Sequence, residues 1–490
     1  MLKSPVRLFA ALALWLITLA WWRPYAVPDE GRYTDVARWM LRSGDWVVPR
    51  LDGLPFLHKP PLYYWIEAVG MGVFGPHPLV ARMASLLGAW LICWAAYALV
   101  SRCLDASSAR WTTLLLATNP LFVLGSQYAN LDMLVASCIT GTITLAALAV
   151  SADPARRSWL WWAAYAVAGL GVLAKGLIGV VLPGAVFVLW SLLEWRPRRL
   201  LDCLSLVGLV LLALVVLPWF VLMERQVPDF MHFFFIVQQF ERFTEAGFNN
   251  AYGPWFFPAL VAVGMLPWTV VLWPAVRASL RTSGSARSLT VLAFAWFVVV
   301  MVFFSIPRSK LAGYILPLAP AVAIILGPWV ARWRYRMHLA VLGAFLCAGL
   351  VTVAVFKQND DATSMARALK SRIAEGDAVV FWDRYDYAVP VALDRSSPVW
   401  VVSEWNKGSR QLPDNWRREL VEGQEFEPGP RSPLLSTAQW MERVQTQANR
   451  TQWVWVDANT AATNPLLRDW PVVQKAGRIV VLEVRPRKTP

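Results

Sequence analysis

Between residues 28 and 65 the chain reads PDEGRYTDVARWMLRSGDWVVPRLDGLPFLHKPPLYYW, directly after an apolar run. Asp29, Glu30, Arg32, Tyr33, Asp35, Arg38, His58 and Lys59 crowd this stretch, in a chain that is 57% hydrophobic. Carboxylates here can take a proton or balance charge, and the cations can hold an anion. Charge of this density beside a membrane span points to the first part of an active site at the membrane surface. Asp132 in SQYANLDML, Lys175 in LGVLAKGLIGVVLPG, Arg242 in QQFERF, and Arg308 and Lys310 in FFSIPRSKLAGYILPLAP extend the set. Ionisable groups at membrane depth are costly and tend to be functional. Each also has a plainer reading: Asp29 and Asp132 as helix caps, the lysines and arginines as headgroup anchors.

The elements that must position these groups can be read from periodicity. Tyr33, Val36, Ala37, Met40 and Leu41 fall on one face of a helix, with Arg32, Asp35, Arg38 and Arg42 on the other. Pro28 and Asp29 suit its start and Gly44 its stop. Such a helix is too polar to span a bilayer and suits its surface. The chain is then expected to run irregularly through Pro49, Gly53 and Pro55 until Lys59-Pro60-Pro61 opens a second segment.

About eleven apolar runs follow one another, roughly 8–23, 79–100, 111–126, 133–150, 159–174, 177–195, 203–223, 255–274, 289–306, 311–331 and 338–356. The first is kept as a helix, not a cleaved signal, since no small-residue cleavage site precedes Pro28. Every even-numbered run ends in arginines: Arg102 and Arg110, Arg156 and Arg157, Arg196 to Arg199, Arg277 to Arg287, Arg332 to Arg336. Lys3 and Arg7 precede the first. The positive-inside rule puts all of these in the cytoplasm. Asp29, Glu30, Lys59, Asp132, Lys175, Arg242, Arg308 and Lys310 then collect on the other side, where one cavity could gather them. The net charge of +14 is thereby a topology signal, and nucleic acid is not implied. The segment from Met223 to Phe257, aromatic and polar together, is expected to lie along the interface.

Residues 1–357 thus read as a polytopic α-helical membrane domain and residues 358–490 as a small extracytoplasmic α/β domain. The latter alternates strand-like AVVFW, PVWVV, QWVWVDA and RIVVLEV with helical TSMARALKSRIAEG and TAQWMERVQTQA. The five cysteines all fall in the membrane region, so neither a disulfide framework nor a cysteine metal site is expected. No glycine-rich phosphate loop stands in a strand–helix context, which argues against nucleotide use.

PDEGRYTDVARWMLRSGDWVVP, HKPPLYYW, NLDML, LAKGLIGVVLPG and SKLAGYILPLAP, in this order, resemble the GT-C glycosyltransferases that use polyprenyl-phosphate-linked sugars. The resemblance is to bacterial lipid A aminoarabinose transferases and to the related protein mannosyltransferases. It implies 11–13 transmembrane helices in a bacterial inner membrane, with the active site and the C-terminal domain periplasmic. By the resemblance Asp29 corresponds to a catalytic carboxylate, with Glu30 and Asp132 as further acidic candidates. Arg32, Tyr33, Lys59, Lys175, Arg242, Arg308, Lys310 and Tyr314 would bind the donor phosphate or lipid. The implied partners are a polyprenyl-phosphate-linked sugar donor, a lipid A or protein acceptor, and membrane lipid. No cofactor is fixed, and a divalent metal stays open. Aminoarabinose transferases tend to carry a Glu-His pair where this chain has Gln238-Gln239, a departure that bears on the sugar. A protein O-mannosyltransferase is the alternative within the class. A transporter or flippase for a lipid-linked sugar is the alternative outside it, though the chain lacks the internal repeat such proteins show.

Overall fold

The computed structural model describes residues 4–241, 251–357, 361–429, 432–447 and 450–485. Each of the eleven apolar runs is helical over most of its length, but three are broken by proline. The run at 111–126 divides into Ala106–Ala117 and Pro120–Ser126. There Asn119 caps the second piece by accepting from the Phe122 N–H at 3.2 Å, and Pro120 takes the first helical position. The run at 255–274 becomes Phe256–Gly264 and Trp268–Ser279, bent by 98° at a break that holds Pro267. The run at 311–331 opens as a 3₁₀ turn, Ala312–Leu318, before Ala319–Val330. Among the described residues, six helices are long and apolar enough to cross a membrane, or up to seven if the bent pair is one span. By that measure the count falls below the eleven to thirteen expected. The apolar helices Pro5–Trp21 and Ile178–Leu193 are shorter than a standard span.

The helix Met83–Cys103 serves as a ruler between the two ends of the bundle. Beside its start, Arg82 pairs with Glu30. At its last residue, the Cys103 carbonyl accepts from Ser285 Oγ at 3.0 Å. The Arg336 guanidinium lies over the Trp111 ring at the same end, 5.1 Å from its centre. Arginine-rich connections therefore gather one helix length, about 30 Å, from the end that carries Glu30.

The surface helix is Asp29–Ser43. Gly44 ends it in the left-handed conformation (φ 71°), its N–H reaching the Met40 carbonyl at 3.1 Å. Downstream the chain is not irregular as expected. Arg50–Leu51 (β1) pairs antiparallel with Leu54–Pro55 (β2), and Asp52 (φ 51°) and Gly53 (φ 80°) form the tight turn. The Asp-Gly dipeptide was the signal for it.

The C-terminal region is built on a six-stranded mixed sheet. Its strands are Ala378–Trp382 (β3), Trp400–Val402 (β4), Leu434–Leu435 (β5), Gln452–Asp457 (β6), Val472–Ala476 (β7) and Ile479–Val484 (β8), in the order β5-β4-β3-β6-β8-β7. β3, β4, β5 and β6 run parallel, and β8 is antiparallel to β6 and β7. The period of two divides it cleanly. Ala378, Val380, Trp382, Val402 and Val454 enter one core with Trp440. Val379, Phe381, Val401, Trp453 and Trp455 enter the other, which is continuous with the core of the membrane bundle. Two glycines allow close approach between the regions. A Cβ on Gly31 would lie 2.6 Å from the Ala388 nitrogen, and one on Gly423 would lie 2.6 Å from the Pro55 carbonyl oxygen.

Candidate active site

Asp29 is the first residue of the surface helix, after an N-cap at Pro28, and both of its carboxylate oxygens are held by side chains. One carboxylate oxygen pairs with Arg32, a turn further on. The other accepts from the Tyr128 hydroxyl at 3.0 Å. Arg32 also pairs with Glu419 of the C-terminal region, and its guanidinium stands 5.0 Å from the Tyr33 ring centre. Burial opposes the charge on Arg32, but Glu419, Tyr33 and Asp29 together hold it firmly protonated. The Tyr33 phenol is buried and within electrostatic reach of Asp29 and Asp132, so its own ionisation is suppressed, chiefly by burial.

Glu30 points the other way. It is fully buried, with Arg82 Nε 2.8 Å from Oε1 and Arg82 Nη2 2.6 Å from Oε2. The Ala129 and Ala26 N–H groups occupy the same two oxygens at 2.8 and 2.6 Å. A buried carboxylate satisfied this fully ties the surface helix to Arg82 and to the Ala26 and Ala129 backbones.

Asp132 stands in the first turn of Leu131–Val150, and Lys175 is the last residue of Pro154–Lys175. They form an ion pair, and the Lys175 ammonium lies 4.3 Å from the Tyr314 ring centre. Gly313 packs against Asp132 so tightly that a Cβ there would collide with its carboxylate. Lys175, Tyr314 and Lys59 line a cavity of about 310 Å³. Leu177, Ile178, Val181, Phe303 and Phe304 give it an apolar wall; Gln238 and Gln239 close it from the π-helical segment Phe233–Glu241. The glutamines that depart from the aminoarabinose pattern are thus cavity residues, and Gly176 leaves room for the Gln239 amide.

The expected convergence is therefore partial. Lys59, Lys175, Tyr314 and, through Lys175, Asp132 share the cavity. Asp29, Arg32 and Tyr33 form an adjoining cluster. Lys310 is buried, donating to the Tyr252 carbonyl at 2.9 Å and to the Pro307 carbonyl, and so braces the loop before Tyr314. Arg308 is exposed on that loop. Arg242 lies outside the described residues. No group of three or more His, Cys, Asp or Glu among the described residues is arranged to hold a metal.

Sequence reasoning missed what the C-terminal region brings. The helix Trp416–Phe426 places Glu419 on Arg32, and the Tyr387 hydroxyl donates to Glu419 at 2.7 Å. One turn on, Glu422 Oε2 lies 2.6 Å from His58 Nε2, and Arg418 Nε donates to Glu422 Oε1 at 2.9 Å. Burial raises the Glu422 carboxyl, but His58 and Arg418 outweigh it and leave the group below the usual range. Asn415, a good cap before WRRELVEGQEF, was the available signal.

With this geometry in view, the comparisons are specific. The structure superposes on ArnT from Cupriavidus metallidurans bound to undecaprenyl phosphate with a TM-score of 0.86, at 24% identity, over 99% of both chains. The chain has the fold of ArnT. The Archaeoglobus fulgidus oligosaccharyltransferase follows at a TM-score of 0.53 and 15% identity, covering 80% of this chain and 62% of that one. A family model described as dolichyl-phosphate-mannose-protein mannosyltransferase matches residues 58–221. An undecaprenyl phosphate-alpha-4-amino-4-deoxy-L-arabinose arabinosyl transferase of Pseudomonas paraeruginosa is 33% identical over 335 residues, 67% of this chain and 60% of the relative. Its namesake from Sodalis glossinidius is 32% identical over 322 residues, 65% of this chain and 57% of the relative. The chain thus spans about 60% of the length of the curated relatives it matches. It is a multi-pass membrane protein with the GT-C architecture of these enzymes, as its motifs led one to expect.

Proposed function

We propose that the chain transfers a sugar from an undecaprenyl-phosphate-type carrier to a lipid acceptor on the periplasmic side of the bacterial inner membrane. The acceptor is taken to be a phosphate of lipid A, and the sugar 4-amino-4-deoxy-L-arabinose. One observation carries the reading: Lys59 and Lys175, with Gln238, Gln239, Ser309 and Tyr314, form the polar part of a cavity whose remaining wall of Leu177, Ile178, Val181, Phe303, Phe304 and Pro307 is apolar. That pairing suits a prenyl chain that ends in a phosphate. The ligand named with the ArnT structure and the names of the curated relatives support the same carrier.

In this reading the acceptor oxygen attacks the anomeric carbon, the bond from that carbon to the carrier phosphate breaks, and the polyprenyl phosphate departs. A single displacement inverts the anomeric centre, through an oxocarbenium-like state as in glycoside hydrolysis. Lys59 and Lys175 stabilise the charge that builds on the leaving phosphate. Asp132 fixes the Lys175 ammonium and Tyr314 flanks it. By the resemblance alone Arg242 and Arg308 would be further cations for the phosphate, while Lys310 holds the loop. Asp29 faces the acceptor. A hydroxyl acceptor would lose its proton to Asp29; for a phosphate, already anionic, Asp29 orients groups and balances charge. Glu30 acts by position, through Arg82.

The test is mass spectrometry of lipid A from cells with and without the gene. Loss of the amino-pentose mass increment on deletion, restored by the wild-type gene and not by Lys175→Ala, is the expected result. Unchanged lipid A with a changed periplasmic glycoprotein would replace this acceptor by a protein one. Lipid A and glycoproteins both unchanged, with a lipid-linked sugar misplaced between leaflets, would favour a transporter.

A further inference from the structure

Several groups join the C-terminal domain to the membrane side, among them Asp394 on Arg42, Glu427 on Arg50 and the Val399 N–H on Asp52, and two of the contacts are buried carboxylates of one helix. Glu419 and Glu422 are three residues apart on Trp416–Phe426, hence on one face. Each divides its oxygens in the same way. Glu419 keeps one for Tyr387 of its own domain and gives the other to Arg32. Glu422 keeps one for Arg418 and gives the other to His58. All three of Glu419, Glu422 and His58 are buried. Burying charge is costly, and each of these carboxylates is compensated by a partner on both of its oxygens.

The two recipients differ in what they adjoin. Arg32 holds Asp29 on the surface helix. His58 directly precedes Lys59, and Pro60 and Pro61 stiffen the chain beyond it. The His58 ring also stacks on Phe56 at 4.8 Å between centres. Gly423 brings the carboxylate helix against the Pro55 carbonyl, directly upstream of that same segment.

We infer that Glu419 and Glu422 are positioning residues through which the C-terminal domain sets the two halves of the site separately: Glu419 acts on Asp29 through Arg32, and Glu422 acts on Lys59 through His58. The inference rests on the transferase reading for the roles of Asp29 and Lys59, not for the contacts themselves.

Glu419→Ala and Glu422→Ala are compared in the full chain, in lipid nanodiscs. Undecaprenyl phosphate affinity, turnover at saturating donor and backbone hydrogen exchange are measured. Loss of one charge-assisted hydrogen bond corresponds to about tenfold. Glu422→Ala should weaken undecaprenyl phosphate binding about tenfold and raise exchange in residues 54–59. Glu419→Ala should leave that affinity within about twofold, lower turnover about tenfold, and raise exchange in residues 26–33. Should either alanine variant fail to fold, Glu419→Gln and Glu422→Gln keep shape and one hydrogen bond, and the same split is read on them. Equal effects of the two substitutions on affinity, turnover and exchange, or none from either, overturn the inference. A wild-type chain that binds the carrier but transfers no sugar refutes the transferase reading alone, since the exchange split is read independently of turnover.

Discussion

Asp132 and Lys175 form an ion pair across an antiparallel helix hairpin, one in the first turn of its helix and the other in the last turn of its own. Each charge therefore also lies at the helix end that favours it. The pair is nearly closed to solvent, and its lysine is the one that lines the cavity beside Tyr314.

That geometry separates stability from transfer. Lys175→Met leaves Asp132 buried without its cation and should cost about 3–5 kcal/mol, because an unpaired buried charge keeps its desolvation penalty. Asp132→Asn with Lys175→Met removes both charges and should recover most of that loss. Transfer should stay abolished in both, because the cation on the leaving phosphate is gone. Thermal unfolding beside turnover checks this; a double variant that regains turnover would show that Lys175 serves the fold alone.

Asp29 and Lys59 should fail in different ways. Since the N-cap of the helix is Pro28 and not Asp29, Asp29→Asn loses a part-exposed ion pair with Arg32 and keeps only one of the two acceptor oxygens shared between Arg32 and the Tyr128 hydroxyl, about 1–2 kcal/mol together. If the acceptor is a hydroxyl, turnover should still fall about 100- to 10,000-fold, the usual contribution of a general base. Lys59→Ala should weaken donor binding first. Binding of the polyprenyl-phosphate sugar to both purified variants, beside turnover, distinguishes them. Near-normal turnover in Asp29→Asn would remove the carboxylate from the mechanism.

The arginine-bearing connections and the site belong to opposite ends of the bundle, so sidedness can be measured directly. With the native cysteines replaced, Ser364→Cys should react with an impermeant thiol reagent in intact cells, and Ser101→Cys only after lysis. Labelling of Ser101→Cys but not Ser364→Cys would invert the topology and place the cavity in the cytoplasm.

Local signals in the chain carried the surface helix, its Gly44 stop, the apolar runs and four of the strands, because each is written in a period of 3.6 or 2 or in a cap. The cavity lysines were legible only as candidates: a lone Lys175 at a helix end reads equally well as a snorkelling lysine, and it is the side-chain geometry that puts it on the cavity. What stayed hidden was non-local or unpatterned. The hairpin strands β1 and β2 have two residues each, too short to show alternation. Trp416–Phe426 was missed because its buried residues include Glu419 and Glu422, and a buried carboxylate looks like a surface residue until its partner is known. Arg32 and Glu419 are 387 residues apart, and no spacing rule joins them. Glu30 shows the reverse error, since acidity beside Asp29 suggested chemistry while its saturation by Arg82 marks a structural tie.

The hairpin turn supplies a pH test of the domain interface. Asp52 is fully buried. Its Oδ1 accepts from the Val399 N–H at 2.8 Å, its own N–H donates to Asp35 Oδ2 at 3.0 Å, and Arg38 joins Asp35 to the Arg395 carbonyl. Burial, and then Asp35, push the Asp52 carboxyl well above the usual carboxylate range, against the opposing pull of Val399 and Arg38. The folded state thus keeps a proton that the unfolded chain gives up near pH 4. Where the folded state binds more protons, stability falls as pH rises, so Asp52 should erode stability from about pH 4 upward until its folded-state value is passed. Asn carries no charge, accepts the same N–H and tolerates the left-handed turn. Asp52→Asn should therefore raise the melting temperature at pH 8 more than at pH 5, with the gain confined to the contact between the surface helix and the C-terminal domain. Thermal unfolding of both proteins across that pH range is the measurement. A gain that is equal at both values, or larger at pH 5, would mean that Asp52 is ionised in the fold.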